Sequence, residues 1–264
     1  MKKRIAIIGG GNLGKSIAEG LMVSEFVQAS DIIITRRNIT SLLPFKEKGI
    51  EITTDNAHAV QNSEVIILAV KPFQVSAVLE GFAHELKPGK LLISVVTGVL
   101  ISDIEQFTGN HQPIFRAMPN TAIAIRESIT CICSNQPGLD HTDYVQSLFN
   151  TLGKTVTTQE NLMEAATILG ACGTAYAMRY IRANIQGGIE IGFDAQTASL
   201  IAAQTVKGAA ELLLQHKSHP EEEIDKVTTP KGCTIAGLNE MEHRGFSSSL
   251  IRGIVASYKK IAKD

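Results

Sequence analysis

The chain has 264 residues, 44% hydrophobic and 19% charged, which is enough to bury a sizeable core in one large domain or two modest ones. Its 25 basic and 26 acidic side chains balance overall and within each half, arguing against nucleic acid or an anionic membrane as partner. No stretch reaches the about 20 apolar residues of a membrane span. The basic start Lys2-Lys3-Arg4 leads into an apolar run too short for a secretory signal, so a cytoplasmic protein is expected.

In chain order, the first element is an apolar strand from Arg4 to Ile8 that runs into Gly9-Gly-Gly-Asn12-Leu13-Gly14. Gly9, Gly11 and Gly14 have G-x-G-x-x-G spacing, and Ile17, Ala18 and Leu21 then mark one face of a helix. In such a turn the first glycine allows a sharp bend, the second admits a pyrophosphate close to the backbone, and the third lets helix and strand approach. Free N–H groups at the helix start then face the phosphates, making Asn12 and Leu13 cofactor contacts as well. The second strand, Asp31 to Thr35, ends in Arg36-Arg37-Asn38 with no acid beside it. An acid at this position takes the ribose hydroxyls of NAD, whereas arginines receive a 2′-phosphate. NADP(H) is therefore the expected cofactor, with NADH a weaker alternative.

Glu51 to Asn56 reads as a short strand and an Asx-capped helix start, and Glu64 to Val70 as a buried strand ending at Lys71-Pro72. Ligands of open α/β sheets bind beyond the carboxyl ends of the strands, so Asn56, Ala69, Val70, Lys71 and Pro72 fall on the rim of the glycine turn. Leu91 to Val96 is another strand, and Ser102-Asp-Ile-Glu105 has the form of a capping box. Strands Pro113 to Met118 and Ser128 to Ser134, a helix from Leu139 to Leu152 and a strand Lys154 to Thr157 follow. Of four cysteines, Cys131 and Cys133 lie two apart on one strand and point the same way. No metal site or disulfide framework results, and reduced core thiols are expected.

From Glu160 the period is helical throughout, with segments Asn161 to Leu169, Ala171 to Ile191, Asp194 to His216 and Ser247 to Ala262. Alanines and glycines lie all round these helices, so they need cover on several sides, which a second copy of the chain would supply. The pattern is an α/β protein: a doubly wound, mainly parallel sheet of the Rossmann type over residues 1–158, then an all-helical dimerisation domain over 159–264.

Five segments together carry a resemblance: Gly9 to Gly14, Ala69 to Pro72, Arg116-Ala-Met118-Pro119-Asn120-Thr121, Gly173-Thr-Ala-Tyr176, and Thr229-Pro-Lys-Gly-Cys-Thr-Ile-Ala-Gly237. In this order, from Lys2 to about Glu242, the chain resembles pyrroline-5-carboxylate reductases. The resemblance implies NAD(P)H-dependent reduction of 1-pyrroline-5-carboxylate to L-proline by a dimer that in some members assembles further. It also implies that Gly232, Cys233 and Thr234 grip the substrate carboxylate at a helix start, that Tyr176, Asn120 and Cys172 line the substrate side, Tyr176 there either donating a proton or only packing, and that Met118 and Pro119 join the cofactor floor. Where the family has serine, glycine and proline this chain has Cys172, Gly173 and Thr174, and where it has two glycines this chain has Lys231 and Gly232. Lys231 is expected at negative φ, pointing to water, and Thr234 either binds the carboxylate or only caps its helix. A related reductase of another cyclic imino acid or a 3-hydroxy acid, and a non-catalytic NADP-binding protein, stay open at this point.

Overall fold

Short apolar runs with no period become the centre of a sheet, because strands covered on both faces have no polar side to show. The computed structural model describes residues 3–262, so Lys2 lies outside the described residues. The strands are β1 (Ile5–Ile8), β2 (Ile32–Thr35), β3 (Glu51–Thr53), β4 (Val65–Leu68), β5 (Leu91–Ser94), β6 (Ile114–Met118), β7 (Ser128–Ser134) and β8 (Gly153–Thr157). All residues of β1, β2, β4, β5 and β6 are buried. The order in the sheet is 3-2-1-4-5-6-7-8, and every pair is parallel except β6 with β7. That exception follows from the link between them, residues 119–127, which holds one 3-10 turn and no crossover helix.

Helices α1 (Asn12–Val23), α2 (Leu43–Glu47), α3 (Asn56–Gln61), α4 (Val75–Phe82), α5 (Ile101–Thr108) and α6 (Thr142–Asn150) cover the sheet. Ile17, Ala18 and Leu21 of α1 join Val145, Leu148 and Phe149 of α6 on one face. Ala59, Leu79, Phe82 and Ile104, from α3, α4 and α5, pack on the other. Each of these buried isoleucine, leucine, valine and phenylalanine side chains contributes on the order of 2 kcal/mol of hydrophobic stabilisation. The helix start of α5 lies two residues before the expected place: Asp103 Oδ2, not Glu105, accepts the N-cap N–H, that of Leu100, at 3.0 Å, and Ser102 lies inside the first turn. The apolar Ile101 must reach the core, and that sets the start of the helix.

The helix expected from Asn161 to Leu169 is broken into three conformations. A 3-10 turn (Glu160–Leu162), one turn of α-helix, α7 (Met163–Ala166), and a π-helical stretch (Thr167–Cys172) follow one another. The first compact unit of the chain ends at Cys172 and the second starts at Gly173.

The second unit is helical. The helices α8 (Gly173–Glu190) and α9 (Ala195–His216) form a hairpin closed by Gly192 at φ 116° and by Asp194, whose Oδ1 accepts the Gln196 and Thr197 N–H groups at 3.0 Å. They approach closely at Gly188, where a Cβ would stand 3.2 Å from that of Ala198. The chain continues through α10 (Pro220–Lys226), α11 (Cys233–His243) and α12 (Phe246–Ala262). Among the described residues of this unit only Ala198 and Ala202 are buried, while Leu200, Leu214 and Ile251 are each at least 60% exposed.

All four cysteines are free. Burial raises the Cys131 thiol and pushes Cys133 up to about 11, so both stay neutral. Cys233, expected as a core thiol, is instead exposed, because it opens α11 on the surface of this unit.

Candidate functional site

The sheet order reverses between β1 and β4, and the crevice beyond such a reversal is where open α/β sheets bind ligands. Gly9 leaves β1 at φ 113°, and a Cβ on it would stand 2.5 Å from the carbonyl oxygen of Ala69, the residue that leaves β4. A Cβ on Gly14 would strike the Gly9 carbonyl, so α1 meets β1 at this point. Gly11 differs from both, since a Cβ there would project into open space. Nothing in the protein demands that glycine. The space it leaves beside the α1 N-terminus fits a pyrophosphate, because the first-turn N–H groups of Asn12, Leu13 and Gly14 have no acceptor within their own helix and no acid stands in that turn.

Thr35 holds the turn in place, and sequence spacing alone gave no sign of it. Its carbonyl accepts the Gly10 N–H at 2.6 Å, and its hydroxyl accepts the Gly9 N–H at 3.3 Å while donating to Asn56 Oδ1 at 2.6 Å. Thr35 thereby joins β2, the glycine turn and the start of α3. Gly10, between the motif glycines, is also constrained: a Cβ would meet Leu42 at 2.8 Å.

The Arg36 guanidinium donates through Nη1 to the Gly10 carbonyl at 2.9 Å and to Ser41 Oγ at 2.6 Å. It buttresses the turn as well as carrying charge, while Arg37 is exposed beside it. Val70 lies against Gly9, and Lys71 and Pro72 open a 3-10 turn in which the Lys71 N–H donates to Gln74 Oε1 at 3.3 Å. Met118 ends β6, with the Thr97 hydroxyl 4.0 Å from its sulfur, and Pro119 follows. Asn120 Oδ1 accepts the Ala122 N–H at 3.0 Å, and its Nδ2 donates to the Gly170 carbonyl at 3.2 Å in the π-helical stretch that ends at Cys172.

The remaining expected residues lie in the second unit. Gly232 is the N-cap of α11 and accepts no side chain, since a Cβ would stand 2.5 Å from Thr229 Oγ1. Cys233 and Thr234 occupy the first two helical positions, and Thr234 makes no capping bond, so the capping alternative for it does not hold. Lys231 is at φ 61°, not at the negative value expected. The chain must turn from Pro230 into α11 there, and the left-handed region makes that turn, which is why a glycine suits the position. The Tyr176 hydroxyl donates to Ser257 Oγ at 2.7 Å, tying α8 to α12.

Residues 160–264 match the family model described as pyrroline-5-carboxylate reductase dimerisation, and residues 4–98 match one described as NADP oxidoreductase coenzyme F420-dependent. Pyrroline-5-carboxylate reductase 2 of Dictyostelium discoideum is 45% identical, over 99% of this chain and 93% of that protein. The chain belongs to the pyrroline-5-carboxylate reductase family. Pyrroline-5-carboxylate reductase 1 of the same organism is also 45% identical, over 98% of this chain and 49% of the relative, so the chain spans about half the length of that protein. The crystal structure of Plasmodium falciparum pyrroline carboxylate reductase with NADP bound superposes with a TM-score of 0.90 at 25% identity, covering 99% of this chain and 98% of that one. The family accounts for both units: a nucleotide-binding sheet and a helical dimerisation region. Among the described residues no helix is long and apolar enough to cross a membrane, and no group of His, Cys, Asp and Glu is placed to hold a metal ion.

Proposed function

We propose that this chain reduces 1-pyrroline-5-carboxylate to L-proline with NADPH, residues 1–158 holding the cofactor and 159–264 the substrate and the partner subunit. The observation that carries the reading is a pair of helix N-termini free of acids, one in each unit. The α1 start, beside the open position at Gly11, takes the pyrophosphate, and the α11 start, with Thr234 in its first turn, takes a carboxylate.

When bound, NADPH supplies the hydride that reduces the imine carbon. The protein's share is placement, because a protonated cyclic imine is already electrophilic and alignment at contact distance supplies most of the acceleration. Gly9, Gly11, Asn12, Leu13 and Gly14 receive the pyrophosphate, and Arg36 and Arg37 the 2′-phosphate. Asn56, Ala69, Val70, Lys71, Pro72, Met118 and Pro119 form the floor. The Gly232, Cys233 and Thr234 amides and the Thr234 hydroxyl hold the substrate carboxylate, and in the first unit Asn120 and Cys172 are read as substrate-side residues. Tyr176 packs and orients, a reading supported by the bond its hydroxyl donates to Ser257 Oγ at 2.7 Å.

The working form is a homodimer through the helical unit, supported by its exposed apolar residues and by its match to a dimerisation family. The same reading places the protein in the cytoplasm, supported by its even charge and free thiols, and cell fractionation checks this. The decisive assay follows loss of NADPH absorbance with pyrroline-5-carboxylate at fixed enzyme. Turnover bears the proposal out, whereas NADPH binding without oxidation would make the chain a non-catalytic binding protein.

A further inference from the structure

Arg116 lies in the middle of β6, between Ser94 of β5 and Cys133 of β7, and its side chain is 1% exposed. It leaves the sheet on the same face as Ile114 and Met118, into an apolar layer with Ile101, Ile104 and Met163. A guanidinium in such a place must be paired. Arg116 Nη1 donates to Glu160 Oε1 at 3.1 Å and Nη2 to Glu164 Oε1 at 3.0 Å. The same Glu160 oxygen accepts the Ile101 N–H at 2.7 Å, at the start of α5. One fork therefore ties β6, α5 and the 160–164 turn together. Four residues further along the chain, Asn120 holds the Gly170 carbonyl. The stretch Arg116 to Asn120 thus grips the segment 160–170 near both its ends.

Stability alone does not call for this arrangement. Well-packed apolar side chains replace buried ion clusters without loss, and here the Arg116 Nε has no acceptor among the described residues. What a fork of fixed geometry adds, and an apolar contact does not, is a defined position and orientation. We propose that Arg116, with Glu160 and Glu164, is a positioning cluster for the reaction. It fixes the π-helical stretch that carries Cys172 against the strand end that carries Met118, Pro119 and Asn120. A π-helical stretch is a short departure from the preferred backbone and recurs at functional sites. This inference rests on the reading of Cys172 and Asn120 as substrate-side residues.

Two variants test it. In Arg116→Lys the charge stays and the fork is lost. In the triple variant Arg116→Met, Glu160→Gln, Glu164→Gln the layer is filled without leaving an unpaired buried charge, which guards against simple unfolding. Both are expected to bind NADPH within twofold of the parent, because β6 stays paired between β5 and β7 and so keeps Met118 and Pro119 in place, and only the 160–172 segment loosens. Their KM for pyrroline-5-carboxylate is expected to rise at least fivefold, with amide hydrogen exchange across 167–172 faster than in the parent. A triple variant with parental KM, kcat and exchange would show the cluster to be filler and overturn the proposal. So would a parallel loss of NADPH affinity and melting temperature, which marks general loosening. If the parent itself does not turn over pyrroline-5-carboxylate, the proposed function fails; unchanged 167–172 exchange in the two variants still decides against the cluster.

Discussion

Four residues decide how sharply the site can be tested. Arg36 supports the Gly10 carbonyl as well as facing the rim, so Arg36→Ala is expected to weaken both cofactors, NADPH more than NADH. Arg37 makes the cleaner probe. A charge-assisted phosphate contact contributes about 1.5–3 kcal/mol, so Arg37→Ala should raise the NADPH KM by roughly tenfold or more and leave the NADH KM nearly unchanged. Equal losses for both cofactors in Arg37→Ala would remove the 2′-phosphate assignment. Thr234 makes no capping bond, so Thr234→Ala should shift the melting temperature little while raising the imino-acid KM; a normal KM would take Thr234 out of the substrate site. Lys231 is exposed and in the left-handed region, where a side chain costs about 1 kcal/mol relative to glycine. Lys231→Gly is expected to stabilise the protein by about that amount with kcat/KM within a few-fold of the parent. A fall beyond about tenfold, roughly 1.4 kcal/mol of transition-state binding, would show that the ammonium takes part in binding the substrate.

Among the elements, α10 is held by its ends. His219 caps it through Nδ1, which accepts the Glu221 N–H at 3.3 Å, and three glutamates fill its first turn, where the helix dipole favours negative charge. Glu223 also accepts from Lys226 Nζ at 2.7 Å and from Ser218 Oγ at 2.6 Å. These two bonds, Lys226 first, lower its pKa from 4.5 to about 2. A carboxylate with a depressed folded pKa stabilises the fold above its unfolded value, and that contribution is lost as pH falls from about 4.5 towards 2. Glu223→Gln should therefore lower the melting temperature at pH 7 and make much less difference as pH falls through about 2. A gap between variant and parent that does not narrow on acidification would sink the assignment.

For the whole molecule, the two units differ in how they bury apolar surface. The first has a covered sheet with two continuous core layers. The second keeps Met178, Ile191, Leu200, Leu214 and Ile251 in the open, more apolar exposure than a free-standing domain carries without purpose. Sedimentation on dilution is expected to show a dimer whose dissociation is accompanied by loss of helical signal. A well-folded monomer at low concentration would show that the helical unit is stable uncovered.

Continuous apolar runs and the G-x-G-x-x-G spacing were enough to place the strands and the glycine turn, because buried strands and tight turns are specified by residues adjacent in sequence. The helical texture after Glu160 and its need of cover were legible for the same reason. What came only from tertiary structure depends on residues far apart in the chain. The antiparallel β7 follows from the lack of a crossover helix, the Thr35 hub from 26 and 21 residues of separation, and the Arg116 fork from 44 and 48. The broken 160–172 segment and the left-handed Lys231 were illegible because local propensity favours one continuous helix and a negative φ, and the fixed ends of the neighbouring elements override both.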